Sequence, residues 1–144
     1  MSAGRWAVRP AVWECDDEAL RLIRFAVFVV EQHVPEELEW DGTDAACEHA
    51  IAEDGAGSPV GCGRLLPDGH IGRMAVLREW RGRGVGGALL ERLVALARER
   101  GHAVARLNAQ THAMPFYESH GFVAVGDEFD EAGIPHRAME RSLS

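Results

Sequence analysis

A glycine-rich segment directly before a long amphipathic helix is the feature that most restricts how this chain can fold. The segment runs from Arg81 to Gly87 (RGRGVGG), and apolar residues recur at helical spacing from Val85 to Arg100. Gly101 stands where a left-handed residue commonly ends a helix. Glycines let a backbone approach a ligand closely, and a helix N-terminus offers unpaired amides and a positive dipole end. The pattern therefore predicts a strand, a turn that can hold a diphosphate, and a helix.

The rest of the chain predicts a mixed α/β fold in a single domain over residues 1–144. Residues 5–13 are typical of an edge strand because they contain Pro10, and Asp16 and Asp17 indicate the N-cap of a first amphipathic helix. Further strands are predicted at 46–52, 59–66, 71–76, 103–108, 122–129 and 136–141, and short helices near 35–44 and 115–120. We expect a mostly antiparallel sheet of about six to seven strands, flanked by about four helices.

The composition is typical of a soluble globular protein and excludes several classes of enzyme and partner. Hydrophobic residues make up 47% of the 144 residues, and charged residues 26%. All 15 basic residues are arginines, which excludes lysine-dependent chemistry such as P-loop phosphate binding or a pyridoxal phosphate Schiff base. The 23 acidic residues bring the net charge to -8, which argues against nucleic acid as a partner.

Neither a membrane partner nor a metal site is expected from the sequence. No apolar run approaches the roughly 18 to 20 residues that span a bilayer, and the first residues lack the pattern of a secretory signal. We therefore expect a cytoplasmic protein. Cys15, Cys47 and Cys62 are odd in number and show no CxxC spacing, so we expect neither a disulfide framework nor a bound metal.

The glycine-rich segment also contains the dinucleotide-binding pattern GxGxxG, in Gly82, Gly84 and Gly87. That pattern requires an acidic residue about 20 positions further on, at the end of the next strand, to bind a ribose hydroxyl. Here the next strand ends in Arg106, Leu107 and Asn108, without a carboxylate. The sequence therefore disfavours a nicotinamide or flavin site and leaves open a turn that is only structural.

Several separated motifs give the chain a resemblance to a known family. They are VFVVEQHVP (27–35), GRMAV (72–76), NAQTHAMPFYESHGF (108–122) and EAGIPHRAM (131–139), and Arg81, Gly84 and Gly86 match the motif Gln/Arg-x-x-Gly-x-Gly/Ala. In these segments the chain resembles the GNAT superfamily of acetyltransferases, and more narrowly its small bacterial YjcF/ElaA-like branch. The resemblance extends over nearly the whole chain, and it implies the GNAT acyl-CoA N-acyltransferase fold with acetyl-CoA as co-substrate.

The resemblance also implies a set of residues that bind acetyl-CoA. The backbone amides of the turn would hold the diphosphate, and the main chain of the preceding strand would pair with the pantetheine arm. These cofactor-binding residues are Met74, Ala75, Val76, Arg81, Gly82, Arg83, Gly84, Val85, Gly86 and Gln110. Gln110 stands where relatives often have asparagine. The guanidinium groups of Arg81 and Arg83 could add charge-assisted donors for the diphosphate.

Three residues are predicted to take part in the chemistry. The resemblance implies that the amide of Val76 polarises the thioester carbonyl and that Tyr117 protonates the departing thiolate. An attacking amine must also lose a proton, and Glu31 is the first candidate for the general base. Four weaker candidates stay open: Glu39, His49, His112 and His136.

The resulting interpretation is an enzyme that moves an acetyl group from acetyl-CoA directly to a primary amine of a small molecule or peptide. A covalent route is disfavoured because the three cysteines lie outside the glycine turn and the Tyr117 segment. The acidic stretch 36–44 favours a cationic acceptor. The alternatives are a non-catalytic acyl-CoA-binding regulator and an interaction domain, and a homodimer is as open as a monomer.

Overall fold

Eight strands and four α-helices are formed by residues 4–143, the part of the chain that the computed structural model describes. The strands are β1 (Trp6–Ala11), β2 (Glu48–Asp54), β3 (Pro59–Leu65), β4 (His70–Val76), β5 (Val104–Gln110), β6 (Val123–Ala124), β7 (Phe129–Glu131) and β8 (Ile134–Ser142). The α-helices are α1 (Trp13–Arg24), α2 (Glu36–Glu39), α3 (Val85–Glu99) and α4 (Met114–Glu118). In this part of the chain, no helix is both long enough and apolar enough to cross a membrane.

The strands form one mixed sheet, which confirms the predicted fold class. The order is β1-β2-β3-β4-β5-β8-β6, and β7 also pairs with β8. Among the described strands, β4 and β5 form the one parallel pair, joined at His70 with Arg106 and at Ile71 with Leu107. The sheet has eight strands rather than six to seven. The difference arises because residues 122–131 contain two short strands, β6 and β7, that pair with successive parts of β8.

Helices cover the two faces of the sheet, and each contributes its own apolar cluster. On one face, which we call the α3 face, Leu89, Leu90 and Leu93 of α3 pack with residues of β2 to β5 and β8. On the other, the α1 face, Leu20 and Ile23 of α1 pack on β2, β3 and β4. The helix predicted over 85–100 is confirmed, and Gly101 has the expected positive φ of 85°.

Close packing of α3 on the sheet depends on a glycine of β3. A Cβ atom on Gly63 would lie 2.7 Å from Cδ1 of Leu93 and 3.0 Å from Sδ of Met74. Such distances are shorter than packed carbon atoms tolerate. Gly63 therefore allows α3 to sit close to the middle of the sheet, next to the strand whose end leads into the glycine-rich turn.

The first helix begins earlier than the sequence predicts, which corrects the N-cap assignment. The N-cap is Val12, whose side chain forms no cap, and α1 starts at Trp13. Asp16 lies inside the first turn, where its carboxylate accepts a hydrogen bond from the Val12 amide at 2.9 Å and pairs with Arg9 at 2.8 Å. The helix then continues as a π-helical segment, Phe25–Glu31. This wider segment ends with Glu31 beside the cleft described below.

Candidate active site

A large cleft lies where β4 and β5 separate. Their backbones pair only at the start of β4, so Met74–Val76 and Asn108–Gln110 are not joined by strand pairing. The opening has a volume of about 900 Å³ and is lined by residues of both strands, the π-helical segment, α4 and the β7–β8 hairpin. This volume is within the usual range for small-molecule sites, about 300 to 1,000 Å³.

An irregularity in β4 stands at the inner end of this cleft. The pairing with β3 shifts register between Cys62 and Arg64, so that Arg73 and Met74 stand opposite Gly63 alone. Arg73 has a φ of 51°, a strained value for a residue with a side chain. Its guanidinium is held by Glu39, with Nε 3.0 Å from Oε2. A bulge of this kind bends a strand locally, and here it accompanies the separation of β4 from β5.

The end of β4 directs a backbone amide toward the cleft. The amide of Leu77 donates to the carbonyl of Val60 on β3 at 2.9 Å, and Val76 stands opposite Gly61. Because successive residues of a strand direct their amides to opposite sides, the amide of Val76 points away from β3. It therefore faces the gap toward β5, where the predicted contact with a thioester carbonyl requires it.

The turn after β4 presents amides with no partner in the protein. Gly82 and Gly84 have φ values of 76° and 86°, which favour glycine, and Gly84 is the N-cap of α3. Within residues 4–143, the amides of Gly82 to Gly87 donate no hydrogen bond to any protein group. Unpaired amides at the N-terminus of a 15-residue helix are suited to an anion. The donors present therefore fit the diphosphate of an acyl-CoA.

The arginine side chains of the turn are engaged elsewhere. The guanidinium of Arg81 forms two hydrogen bonds with the Glu31 carboxylate, at 2.6 and 2.8 Å, and its Nε donates to the Val76 carbonyl at 2.9 Å. The Arg83 guanidinium lies over the ring of Trp80, 4.7 Å from its centroid. Arg81 thus connects the end of β4 to the end of the π-helical segment across the mouth of the cleft.

Glu31 lines the cleft, but its ion pair makes it a weak base. The hydrogen bonds from Arg81 lower the pKa of the Glu31 carboxyl, and the nearby charges of Arg81 and Arg78 act in the same direction. A carboxylate stabilised in this way holds a proton poorly. The geometry favours a structural role for Glu31 in the ion pair with Arg81 over the predicted role of general base.

Tyr117 lines the same cleft from the α3 face. Its ring contacts Phe116 and Phe122, with centroids 5.0 and 6.2 Å away, and Phe116 in turn lies close to Gly86 of the turn. Burial raises the pKa of the Tyr117 phenol to about 12. The hydroxyl forms no hydrogen bond with another residue of the described chain. This phenol therefore keeps its proton at neutral pH and is free to donate it into the cleft.

Gln110, at the end of β5, connects that strand to the segment after the π-helix. Its Nε2 donates to Oε1 of Gln32 at 2.9 Å, and both side chains line the cleft. This contact is the counterpart, on β5, of the Arg81 contact on β4. Each of the two diverging strands is therefore tied at its end to the same segment, residues 31–32.

The structure places the four weaker candidates for the general base in different surroundings. His49 is buried outside the cleft, where Nε2 lies 2.9 Å from the Asp44 carbonyl and the ring stacks on Trp13. Glu39 is buried, which raises the pKa of its carboxyl although Arg73 and Arg24 oppose this change. Glu39, His112 and His136 all line the cleft.

Two cleft residues beside the predicted candidate His136 were missed by the sequence prediction, Asn108 and Glu131. Asn108 donates to Glu131 at 3.3 Å, and Glu131 lies 3.7 Å from Nε2 of His136. The available signal was the hairpin turn at Ala132 and Gly133, both with positive φ, because a two-residue turn fixes which residues of β7 and β8 lie side by side.

The acidic stretch 36–44 is largely neutralised by arginines beside the cleft. Six side chains form a network of ion pairs: Arg24, Glu39, Asp41, Asp44, Arg64 and Arg73. Burial alone would raise the pKa of Asp44, but Arg24 and Arg64 bring it below its ordinary value. Three of the five carboxylates in the stretch are thus paired internally, so the stretch is a weaker argument for a cationic acceptor than the sequence indicates.

The cysteines lie apart from the cleft, and no metal cluster is found in the described chain. Cys47 and Cys62 are buried, and burial raises the pKa of the Cys62 thiol to about 12. Cys15 is exposed on α1 and does not line the cleft. Among residues 4–143, no three histidine, cysteine, aspartate or glutamate side chains are grouped as a metal site would require.

Comparison with known proteins connects this fold and cleft to one family. Residues 12–143 match the family described as the acetyltransferase (GNAT) domain. The uncharacterized N-acetyltransferase YjcF of Bacillus subtilis is 43% identical over 121 residues, which cover 81% of this chain and 86% of that protein. ElaA of Escherichia coli superposes with a TM-score of 0.85 at 29% identity, over 95% of this chain and 99% of that chain.

A third similarity is to an acyl-CoA N-acyltransferase from Pseudomonas aeruginosa. Its TM-score is 0.82 at 33% identity, over 95% of this chain and 98% of that chain. These similarities confirm the resemblance and the fold that the sequence motifs predict. The chain belongs to the GNAT acetyltransferase family.

Proposed function

We propose that the chain is an acetyl-CoA-dependent N-acetyltransferase, in a single domain over residues 1–144, that transfers the acetyl group directly to a primary amine. The observation that carries the proposal is one continuous opening. The cleft between β4 and β5 reaches the turn at Arg81 and Gly86, beside the unpaired amides of Gly82 to Gly87. Membership of the GNAT family supports acetyl transfer rather than a purely regulatory role.

The cofactor side of the cleft is proposed to act through main-chain groups. The amides of Gly82 to Gly86 would hold the diphosphate, and Met74, Ala75 and Val76 would pair with the pantetheine arm. The amide of Val76 would then donate to the thioester oxygen, where negative charge develops during attack. A donor that is already in position stabilises this charge without reorganisation, and one such donor is typically worth about 3 to 4 kcal/mol of the barrier.

Tyr117 is proposed as the proton donor to the leaving group. In the transfer, a C–N bond forms to the acetyl carbon and the C–S bond breaks, which leaves a thiolate that needs a proton. The phenol lines the cleft and remains protonated at neutral pH because its pKa is about 12. Its hydroxyl has no competing partner among the described residues, which favours its availability for this step.

Direct transfer is preferred to a route through an acetylated cysteine. Such a route needs a thiolate beside the acetyl group, but none of the three cysteines lines the cleft. The pKa of the buried Cys62 is about 12, so its thiolate is scarce at neutral pH. We propose that the amine itself attacks the thioester.

The first experiment is a thermal shift with acetyl-CoA, followed by detection of free thiol with spermidine, kanamycin and a peptide with a free N-terminus. A ligand at a hundredfold excess over its Kd stabilises the folded state by about 2.7 kcal/mol. We expect a raised Tm and amine-dependent thiol release. A shift without release from any amine would favour the regulator, and no shift would favour the interaction domain.

The variant Tyr117→Phe tests the proposed proton donor and keeps the ring that packs against Phe116 and Phe122. We expect kcat to fall about a hundredfold, the lower end of the range for acid catalysis, while the thermal shift with acetyl-CoA is unchanged. Full turnover in this variant would remove Tyr117 from the mechanism. A cytoplasmic location and the choice between monomer and homodimer stay predictions, and sedimentation velocity decides the latter.

A further inference from the structure

His136 lies on the face of the sheet opposite to Tyr117. The side chains of Ala105, Leu107 and Ala109 on β5 pack in the cluster with α3. Because side chains alternate along a strand, Asn108 and Gln110 point to the other face. His136 stands directly opposite Gln110 in the pairing of β5 with β8, and directly paired residues share a face. His136 therefore enters the cleft from the α1 face.

The tautomer of neutral His136 is set by a backbone carbonyl. Its Nδ1 lies 2.7 Å from the carbonyl oxygen of Ile134, which can only accept a hydrogen bond. Nδ1 must therefore carry a proton, and in the neutral ring the lone pair is on Nε2. The ring is 6% exposed and stacks on Phe129, with centroids 6.1 Å apart, so it has little freedom to turn.

Among residues 4–143, no group forms a hydrogen bond with Nε2 of His136. Oε2 of Glu131 lies 3.7 Å from this atom, which is beyond hydrogen-bond distance. Glu131 is itself held by Asn108, whose Nδ2 donates to Oε1 at 3.3 Å. A carboxylate in this position attracts an ammonium group and stabilises the imidazolium that forms when Nε2 takes a proton.

We propose that His136 is the general base that removes a proton from the acceptor amine, with Glu131 as its positioning residue; this inference rests on the proposed function. An ammonium group loses two protons when it becomes an amide. One proton would pass to Nε2 of His136 and then to water, which frees the lone pair that forms the C–N bond. The other leaves the nitrogen for water as the amide forms. Tyr117 gives its proton to the sulfur as the C–S bond breaks, and its phenolate regains a proton from water, so that one proton is released overall.

In this mechanism, the groups for the two proton transfers enter the cleft from opposite faces of the sheet. Tyr117 approaches the cleft from the α3 face, which also carries the glycine-rich turn. His136 approaches from the α1 face, where the amine could enter without passing the cofactor. Glu131 on β7 lies 3.7 Å from Nε2 of His136, and the titratable side chains that also line the cleft include Glu31, Glu39, His70 and His112. Glu131 and the other cleft histidine nearest in sequence, His112, are varied in the test.

The test measures kcat/KM against pH with the panel amine that gives the highest turnover, in wild type and in His136→Gln. A glutamine amide can still donate to the Ile134 carbonyl, so the variant keeps the local hydrogen bond. We expect kcat/KM to fall about a hundredfold or more, and we expect the acidic limb of the profile to disappear. The acetyl-CoA thermal shift should be unchanged, which shows that the variant is folded and binds the cofactor.

Two further variants separate a base from a structural residue. In Glu131→Gln, the acidic limb should remain and the KM for the amine should rise more than kcat falls, because the ammonium group loses the carboxylate that attracts it. In His136→Ala, added imidazole should restore turnover in proportion to its concentration. The matched control is His102→Gln, a histidine in the connection between α3 and β5 that does not line the cleft, and it should leave the profile unchanged.

Several results would overturn the inference. If His136→Gln kept the acidic limb and His112→Gln lost it, the base would be His112. If His136→Gln were folded and fully active, or if imidazole failed to restore His136→Ala while its thermal shift was normal, His136 would not be the base and the proposed acetyl transfer would stand. Acetyl-CoA binding without thiol release from any amine would remove both proposals together.

Discussion

The backbone conformation of Gly84 offers a direct test of the proposed diphosphate site. Gly84 has a φ of 86°, and a Cβ atom there would meet only Cζ2 of Trp6, at an ordinary 3.7 Å. The change Gly84→Ala therefore introduces conformational strain and no collision. A left-handed conformation costs a residue with a side chain about 1 to 2 kcal/mol. In a domain of this size, about 3 °C of Tm is lost per kcal/mol, so we expect a decrease of about 3 to 6 °C.

Gly57 provides a matched control in the turn between β2 and β3. Its φ is 84°, and a Cβ atom there would meet nothing within 4 Å. The change Gly57→Ala should therefore lower the free energy of unfolding by the same amount, at a site that does not line the cleft. Comparison of the two variants separates strain from the effect on the ligand.

Acetyl-CoA binding should distinguish the two variants. In Gly84→Ala the strain is relieved if the turn moves, and this movement would redirect the amides of Gly82 to Gly86. We expect the Kd for acetyl-CoA, measured by titration calorimetry, to rise at least tenfold, equivalent to about 1.4 kcal/mol. The Kd of Gly57→Ala should stay within twofold of wild type. Equal Kd values in the two variants would refute the role of these amides, even if both proteins were destabilised.

Three other predictions concern stability and reactivity. Arg24→Met should lower the free energy of unfolding in urea by about 3 to 5 kcal/mol because it leaves the network of three arginines and three carboxylates with one uncompensated negative charge, whereas Arg106→Met, at an exposed ion pair, should cost less than about 1 kcal/mol. Similar losses would contradict this assignment. The Tm should fall as the pH decreases from about 5 to about 2, since Arg64 holds the pKa of Asp41 well below its ordinary 3.8; the stabilisation is complete above that ordinary value and is lost progressively as the pH falls toward the lower pKa of the folded state. A Tm that rose on acidification would mean that the raised pKa of Glu39 dominates. A thiol reagent should modify one cysteine, Cys15, in the native protein and all three after unfolding; native labelling of two or more would show that the buried thiols are accessible.

The elements that the sequence predicts well are those set by local signals. The helix over Val85–Glu99 combines regular apolar spacing with glycines at both ends, and both signals act within a few residues. The predicted start of α1 was wrong. Asp16 has a side chain that is typical of an N-cap, but its carboxylate pairs with Arg9 of β1 instead. The number of strands was also wrong, because two-residue β6 and three-residue β7 exist only through pairing with β8.

The part of the candidate site that depends on backbone conformation could be predicted from the sequence. Positive φ values at Gly82 and Gly84 follow from the glycine pattern itself. Contacts between distant side chains were not predictable. Glu31 and Arg81 are 50 positions apart, and their ion pair lowers the pKa of the Glu31 carboxyl. The position of His136 beside Glu131 depends on the register of a hairpin and on the neighbouring strand β5, which no short motif encodes.

The gap between β4 and β5 has a consequence for how this site can change over time. A ligand bound there would be recognised mainly by peptide groups, which every residue type except proline supplies alike. Side chains along the two strand ends are then free to be replaced without loss of the cofactor, provided that the glycine conformations of the turn persist. The same frame is retained in ElaA, with which this chain shares 29% of its residues at a TM-score of 0.85. The side chains that select an acceptor can therefore change during evolution while the backbone groups that bind the donor stay the same.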